Sequence, residues 1–419
     1  MICRFEDRQA GTALALHGAR TRLTACHREE MAAVFAGIEA ARQAGHWVAI
    51  LADYELGEWL LPEAAREPWS MPHDSVPACA PPFAAGVSGG ASEPPATDRT
   101  GTPRLTAWVF EHATHEAPWR AEADRISPAA DARHAADAAT QPVPEPCPAG
   151  IESVTPRIDR NDYLAAVAHV RTLIERGELY QLNYTFPLDV KTHGSAADLY
   201  RRLSNRHPSA HAAFIEDEDR TVLSFSPELF LQREGDRVTT RPMKGTAPRF
   251  ADPDQDRASG EQLQASVKDR AENLMIVDLL RNDLGKIAAP GGVRVEALLT
   301  LEQYPSVWTL TSTVSADLPD VGFEDIMRAL FPCGSITGAP KIAAMQHIRA
   351  LEKAPRGMYC GAIGWLAPDG DFSLNVAIRT LVLDNAGRGH YSVGGGIVHD
   401  SSPELEWQEC LWKARVLTS

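Results

Sequence analysis

The stretch Arg270-Ala-Glu-Asn-Leu-Met-Ile-Val-Asp-Leu-Leu280 decides how the rest of this chain reads. It predicts a helix over residues 269–283 whose middle is apolar nearly all round, the pattern of a buried helix. Glu272 enters that apolar stretch, and a buried carboxylate needs a partner, a proton or a metal. Upstream, the pattern predicts strands at 179–186, 212–215, 222–224, 229–233 and 237–241. Before them, Asp162 caps a helix carrying Tyr163, Val167, Val170 and Ile174, which stops at Gly177. Downstream, helices over 340–352 and 403–417 enclose strands near 360–366, 372–383 and 390–393. Hairpins beside helices, with no regular βαβ alternation and no internal repeat, read as α+β.

This dense pattern runs from about residue 151 to the C-terminus, and we read 151–419 as the catalytic domain. The N-terminal part, 1–125, predicts a helix over 29–44 with Met31, Val34, Phe35, Ile38 and Ala41 on one stripe. A buried strand follows over 46–53 and a further one over 105–111. A Pro/Gly-rich insertion at about 62–103 interrupts it, and an Ala/Asp/Pro-rich linker spans 126–150.

The 419 residues carry 41 Lys and Arg against 56 Asp and Glu, a net charge of −15. That balance excludes a general nucleic-acid binder, which needs surplus cations against phosphate. The 7 cysteines include no C-x-x-C pair and read as reduced thiols of a cytoplasmic protein. No signal peptide or membrane span is expected.

Three features could carry chemistry. Lys244, in Thr240-Arg-Pro-Met-Lys-Gly-Thr246, follows a strand and precedes a Gly-Thr turn. Desolvated in a cleft, its amine would be a neutral nucleophile; otherwise it is a surface turn lysine. Glu272, with Glu406 and Glu409 on the last helix, could offer carboxylates from two helices to Mg²⁺. The plainer reading of the last helix is a solvated face with a Glu409–Lys413 pair. The third feature is backbone that can hold anions. Gly394-Gly-Gly396 follows a strand, and Gly334-Ser-Ile-Thr-Gly-Ala-Pro-Lys341 opens a helix. The second does not have the spacing of a nucleotide-binding Walker loop. Arg379 could clamp a carboxylate or merely face solvent.

Glu272 to Asp283, Gly334 to Lys341 and Gly394 to Glu409 together resemble the signature blocks of the chorismate-utilising enzymes, in the right order, over roughly 151–417. That family includes enzymes making anthranilate, aminodeoxychorismate, isochorismate and salicylate. The resemblance implies a large two-lobed antiparallel-sheet and helix sandwich. It also implies that Glu272 and Glu409, with Glu406 through water, hold Mg²⁺ against the ring carboxylate of chorismate. Lys244 would be the nucleophile and Glu228 the general acid. Arg379, Tyr359, Ser335, Gly394, Gly396, Gly245, Thr246 and Lys413 match positions that hold the substrate carboxylates.

Within the family, Pro242-Met-Lys-Gly-Thr246 resembles the branch that makes 4-amino-4-deoxychorismate for p-aminobenzoate and folate. Anthranilate-forming relatives usually have Ala where Lys244 stands and a His where Thr309 stands. Isochorismate and salicylate synthases place a lysine where this chain has Gln181. The departure is Met243, where isoleucine is usual. The resemblance further implies ammonia from a separate glutamine amidotransferase subunit, since no glutaminase nucleophile turn and no fused lyase are apparent. The alternatives are an anthranilate-forming enzyme and a catalytically silent metabolite-binding homologue.

Overall fold

The computed structural model describes residues 1–66, 102–120, 149–304 and 307–417. Most of the 62–103 insertion and nearly all of the 126–150 linker lie outside the described residues.

All the strand pairs are antiparallel, and they form one continuous ribbon. One end is the hairpin Val293–Gln303 and Val307–Asp317. Arg237–Arg241 and Met243–Pro248 pair with its second arm. The ribbon continues through Leu229–Glu234, Phe372–Val376 and Ala362–Leu366. It then passes through four strands from the N-terminal part: Trp47–Ala52, Leu105–Glu116, Thr12–Ala25 and Ile2–Asp7. From there it runs through His211–Glu216, Thr221–Ser226, Thr380–Leu383 and Arg388–Ile397 to Gln181–His193. Gly150–Pro156 and the short Gly338–Ala339 close this end. The N-terminal strands thus sit mid-ribbon, in register with strands from beyond residue 150.

Period-2 alternation gives the sheet two apolar faces. In Trp47–Ala52, Val48, Ile50 and Ala52 enter the larger core. Ala49 and Leu51 enter a smaller one with Leu14, Trp108, Phe110 and Ile363. The larger core lies under the helices, where Tyr163, Tyr184, Phe186 and Trp407 form an aromatic cluster.

The helices start where short polar side chains satisfy free backbone amides. Asp159, not Asp162, caps Arg160–Glu175, accepting from Asn161 N. Asp252 caps Pro253–Ala265, and Ser266 caps Val267–Gly285. The helix Val267–Gly285 is less buried than its composition predicts. Ile276, Val277 and Leu280 face the core, but Leu274 is 40% exposed. One of its best-buried residues is polar. Asn273 donates to Leu310 O at 3.2 Å and accepts from Ser312 Oγ at 2.6 Å, tying the helix to strand Val307–Asp317. Among the described residues, no helix is long and apolar enough to cross a membrane.

Candidate active site

Lys244 lies inside strand Met243–Pro248, opposite Leu310, rather than in a turn. The register slips between Lys244 and Thr246, where Gly245 takes a φ of +77°. A side chain at Gly245 would meet Asp269. The bulge re-aims Lys244 without ending the strand. Its Nζ donates to Ser335 O at 2.8 Å. Burial pulls the Lys244 amine below the ordinary lysine range, and the nearby Glu272 and Glu228 only partly restore the charge.

Glu228, 3% exposed, follows the end of strand Thr221–Ser226. It accepts from Ser335 Oγ at 2.6 Å. Burial raises its carboxyl above the usual range, although Ser335 and Lys244 act against this. Ser335 therefore meets both groups, its hydroxyl on Glu228 and its carbonyl on Lys244. It sits in a short 3-10 turn, Gly334–Ile336, between the helices Phe323–Leu330 and Lys341–Leu351. The Walker-like comparison fails here in detail. Lys341 Nζ turns away from any loop anion, donating to Leu330 O at 2.8 Å and pairing with Asp283 at 2.5 Å.

The glycine triplet is not a loop after a strand. Gly394, Gly395 and Gly396 lie inside Arg388–Ile397, paired with Thr185, Tyr184 and Asn183. A Cβ at Gly394 would collide with Tyr184 O, and one at Gly396 with the Gln181 amide. Arg379 lies between two strands rather than within one, at a left-handed φ of +49°. Such a conformation in a non-glycine residue marks a position held by its surroundings. Burial lowers the Arg379 guanidinium, with Tyr391 among the groups opposing it.

The helices Val267–Gly285 and Pro403–Lys413 supply acids to one wall. Glu272 is loosely paired with Lys268 at 3.8 Å. Burial raises its carboxyl, and Glu406 adds to the rise. Glu406 accepts from Ser401 Oγ at 2.7 Å and is also raised by burial. Glu409 pairs with Lys413 at 2.7 Å, which lowers it. Lys413 also donates to Gly394 O at 2.7 Å. Among the described residues, no three His, Cys, Asp or Glu side chains gather closely enough to hold a metal unaided.

All thirteen residues singled out from the sequence line one cavity of about 250 Å³. They arrive from strands on both sides of the ribbon and from two helices. The cavity also uses residues not singled out as site residues: Asn183, Lys268, Asp269, Thr309, Ile378 and Tyr391. Lys268 and Asp269 had a visible signal, since they precede Glu272 by one helical turn. Ile378 and Tyr391 had none, because strand ends and sheet registers bring them in.

A family model described as chorismate binding enzyme matches residues 5–419. The chain belongs to the chorismate-binding enzyme family. Aminodeoxychorismate synthase component 1 of Salmonella typhimurium is 43% identical over 251 residues, 60% of this chain and 55% of that protein. Anthranilate synthase component 1 of Streptomyces coelicolor is 39% identical over 275 residues, 65% and 53% of the two chains. This member of the family thus spans about half the length of the curated relatives it matches. The solved anthranilate synthase component I of Streptococcus pneumoniae superposes with a TM-score of 0.69 at 27% identity, covering 90% of this chain and 81% of its own. The menaquinone-specific isochorismate synthase of Escherichia coli reaches the same TM-score at 17% identity, over 100% of this chain and 88% of its own, a likeness of fold.

Proposed function

We propose that this chain converts chorismate and ammonia to 4-amino-4-deoxychorismate. The observation that carries the reading is the joint placement of Lys244 and Glu228 on Ser335, one buried amine pushed toward neutrality and one buried carboxyl pushed toward its acid form. A nucleophile must be deprotonated and a general acid protonated at the same pH, and burial biases both in those directions. The neutral Lys244 amine bonds to ring carbon C2, the two ring double bonds shift to C1–C6 and C4–C5, and the C4–oxygen bond breaks. Glu228 gives its proton to the departing hydroxyl, which leaves as water. Ammonia then bonds to C4, both double bonds shift back and the C2–nitrogen bond breaks, releasing Lys244. The Glu228 carboxylate takes the proton that the new amine sheds. Arg379 and Tyr359, with the backbone around Gly394 and Gly396 and the ammonium of Lys413, hold the carboxylates. The cavity volume suits a single substituted ring.

Glu272 and Glu409, supported by Glu406, are the residues that would hold Mg²⁺. The donors are all oxygen, and Glu406 raises the Glu272 carboxyl while Glu409 raises that of Glu406, crowding that a dication would relieve. Too few ligands for a complete protein cage agrees with a cation that keeps waters and takes substrate oxygen. When bound, the ion would neutralise the ring carboxylate.

Similarity to proteins named component 1 supports a second subunit. We read it as a glutamine amidotransferase supplying ammonia, with the pathway leading to p-aminobenzoate and folate in the cytoplasm. Anthranilate formation is the competing reading, because relatives so named match nearly as well. The test is incubation of the purified chain with chorismate, Mg²⁺ and ammonium, with products identified by mass and chromatography. 4-Amino-4-deoxychorismate is expected, and anthranilate as the sole product sinks the proposal. Adding glutamine alone should give no turnover until an amidotransferase is supplied.

A further inference from the structure

Behind the cavity wall lies a guanidinium that does not itself line the cavity. Arg356 is 4% exposed. Its Nη1 donates to Ile336 O at 3.1 Å and its Nη2 to Asn183 O at 2.5 Å. Ile336 follows Ser335 directly, and Asn183 pairs with Gly396. Both accepting residues line the cavity, and Asn183 N donates to Thr337 O at 3.0 Å. One planar fork therefore spans the two backbone segments that present Ser335 and the glycine triplet.

The fork is itself fixed from two sides. Glu352 takes it through both oxygens, at 2.9 Å from Nε and 2.7 Å from Nη2. The same carboxylate accepts from Thr185 N and Thr185 Oγ1, each at 2.9 Å. The backbone at 356–357 is held by Glu55, which accepts from Arg356 N at 2.7 Å and Gly357 N at 3.0 Å. Tyr54 stacks on the guanidinium, 4.4 Å from its ring centre. An N-terminal segment is thereby bonded to the back of the site.

We infer that Arg356 is a positioning residue, which sets the placement of Ser335 between Lys244 and Glu228. This deepens the functional reading above and rests on it. Lysine keeps the charge beside Glu352, but a single ammonium lacks the planar fork needed to bridge both carbonyls and a bidentate carboxylate. The neighbouring peptide carries the Ser335 carbonyl, so a shift of the Ile336 carbonyl moves the Lys244 acceptor with it. A misplacement of about 1 Å can lower turnover roughly 10²-fold. The substrate-binding groups Arg379 and Lys413 are not touched by Arg356.

The experiment is Arg356→Lys in the full chain, with chorismate, Mg²⁺ and ammonium. The expected result is a kcat about 10²-fold lower, with a smaller rise in the chorismate KM through the Asn183–Gly396 pairing. Amide exchange should quicken in 333–339 and stay unchanged in the helix 160–175, which a general loss of structure would not do. In a Ser335→Ala background, which removes the hydroxyl on Glu228 and keeps the carbonyl on Lys244, Arg356→Lys should lose only the part of its factor that runs through Glu228. Glu352→Gln, which weakens the support without removing the arginine, should give the same split at smaller size, and it decides the matter if Arg356→Lys does not fold. Turnover within about twofold of the parent, or full multiplication of the two losses, overturns the inference. A parent chain that makes no 4-amino-4-deoxychorismate overturns the functional reading instead, and the exchange result then decides the role of Arg356.

Discussion

The chain buries two clusters of charge, and they are built on opposite plans. At the sheet centre Glu6 is 2% exposed and surrounded by donors. Arg4 Nε and Trp119 N reach one oxygen at 2.7 and 2.9 Å, and Arg8 Nε and Tyr200 OH reach the other at 2.7 and 3.2 Å. Arg4 also lies over the Trp119 ring, 5.1 Å from its centre. In the cavity only Glu228 is buried as deeply, Lys244 and Glu272 are half-buried, and pairing is thin. Glu228 has one short side-chain bond, and Lys244 donates a hydrogen bond to a neutral carbonyl. Glu272 has a cation no closer than 3.8 Å. A buried charge with every lone pair matched is a structural joint; one left under-matched shifts its proton affinity and becomes available to a substrate.

The largest expected break in this comparison is Lys244→Ala. Aminodeoxychorismate formation should fall by more than about 10³-fold, on the scale of a lost nucleophile. Residual turnover should drift toward anthranilate, because the change recreates the alanine of those relatives. The urea midpoint should shift only slightly, since Glu228 and Glu272 lose the charge of Lys244 but can take up protons in its place. Chromatography of products from the variant checks this, and an unchanged rate with an unchanged product takes Lys244 out of the nucleophile role.

Glu6→Leu probes the other cluster. It removes the acceptor that Arg4 and Arg8 share, leaving Arg4 with Glu116 and Arg8 with Asn205, which should reduce stability by about 3 kcal/mol, the low end for removing one partner of a buried pair. Turnover per folded molecule should stay within about twofold, since Glu6 has no part in the cavity. Urea unfolding read beside ammonium-dependent activity separates the two effects. A loss of kcat without a loss of stability would erase the distinction drawn here.

The sequence brought the cavity residues into view more readily than the topology. Glu272, Glu406, Glu409 and Lys244 stand out because acids and amines near apolar runs are rare enough to notice. The helices Met31–Gln43 and Val267–Gly285 were visible by periodicity. Strands Ile2–Asp7 and Thr12–Ala25 were not: Gly18, Arg20 and Arg22 interrupt the apolar pattern of the second, and Arg4 and Glu6 that of the first. The charges of Arg4 and Glu6 are buried by pairing that spans more than a hundred residues, out to Trp119 and Tyr200. The same reason hid the true setting of Lys244 and of the glycine triplet. Both look like turns because Pro and Gly dominate them, but the ladders with 307–317 and 181–193 override local preference.

The metal assignment sharpens the comparison from a third side. Glu272→Gln should weaken Mg²⁺ binding, raising the Mg²⁺ concentration needed for half-maximal activity by more than the roughly 10–100-fold that losing a supporting partner costs. Excess EDTA should abolish turnover in the parent and be reversed by Mg²⁺. Titrating activity against Mg²⁺ checks both, and full activity in EDTA removes the ion from the reading.

The smallest predicted effect is the most diagnostic, because its sign differs between the clusters. Glu228→Gln should lower activity yet raise the stability of the substrate-free chain by about 1 kcal/mol at alkaline pH, as often happens when an active-site group is relieved of strain. In the folded chain burial holds the Glu228 carboxyl above its ordinary value of 4.5. Below that value both folded and unfolded chains carry the proton, and Glu228 costs little. As pH rises past it, the unfolded chain releases the proton first, so stability falls until the folded carboxyl also ionises, and then levels off. Glutamine has no proton to release and escapes that loss. The Ser335 hydroxyl can donate or accept, so the amide keeps a partner there. Urea unfolding of parent and variant should therefore converge near pH 4.5 and separate by about pH 8.5, with the variant the more stable. A variant less stable at every pH would show that Glu228 is held as Glu6 is, by matched bonds, and the contrast between a joint and a reactive group would not extend to it.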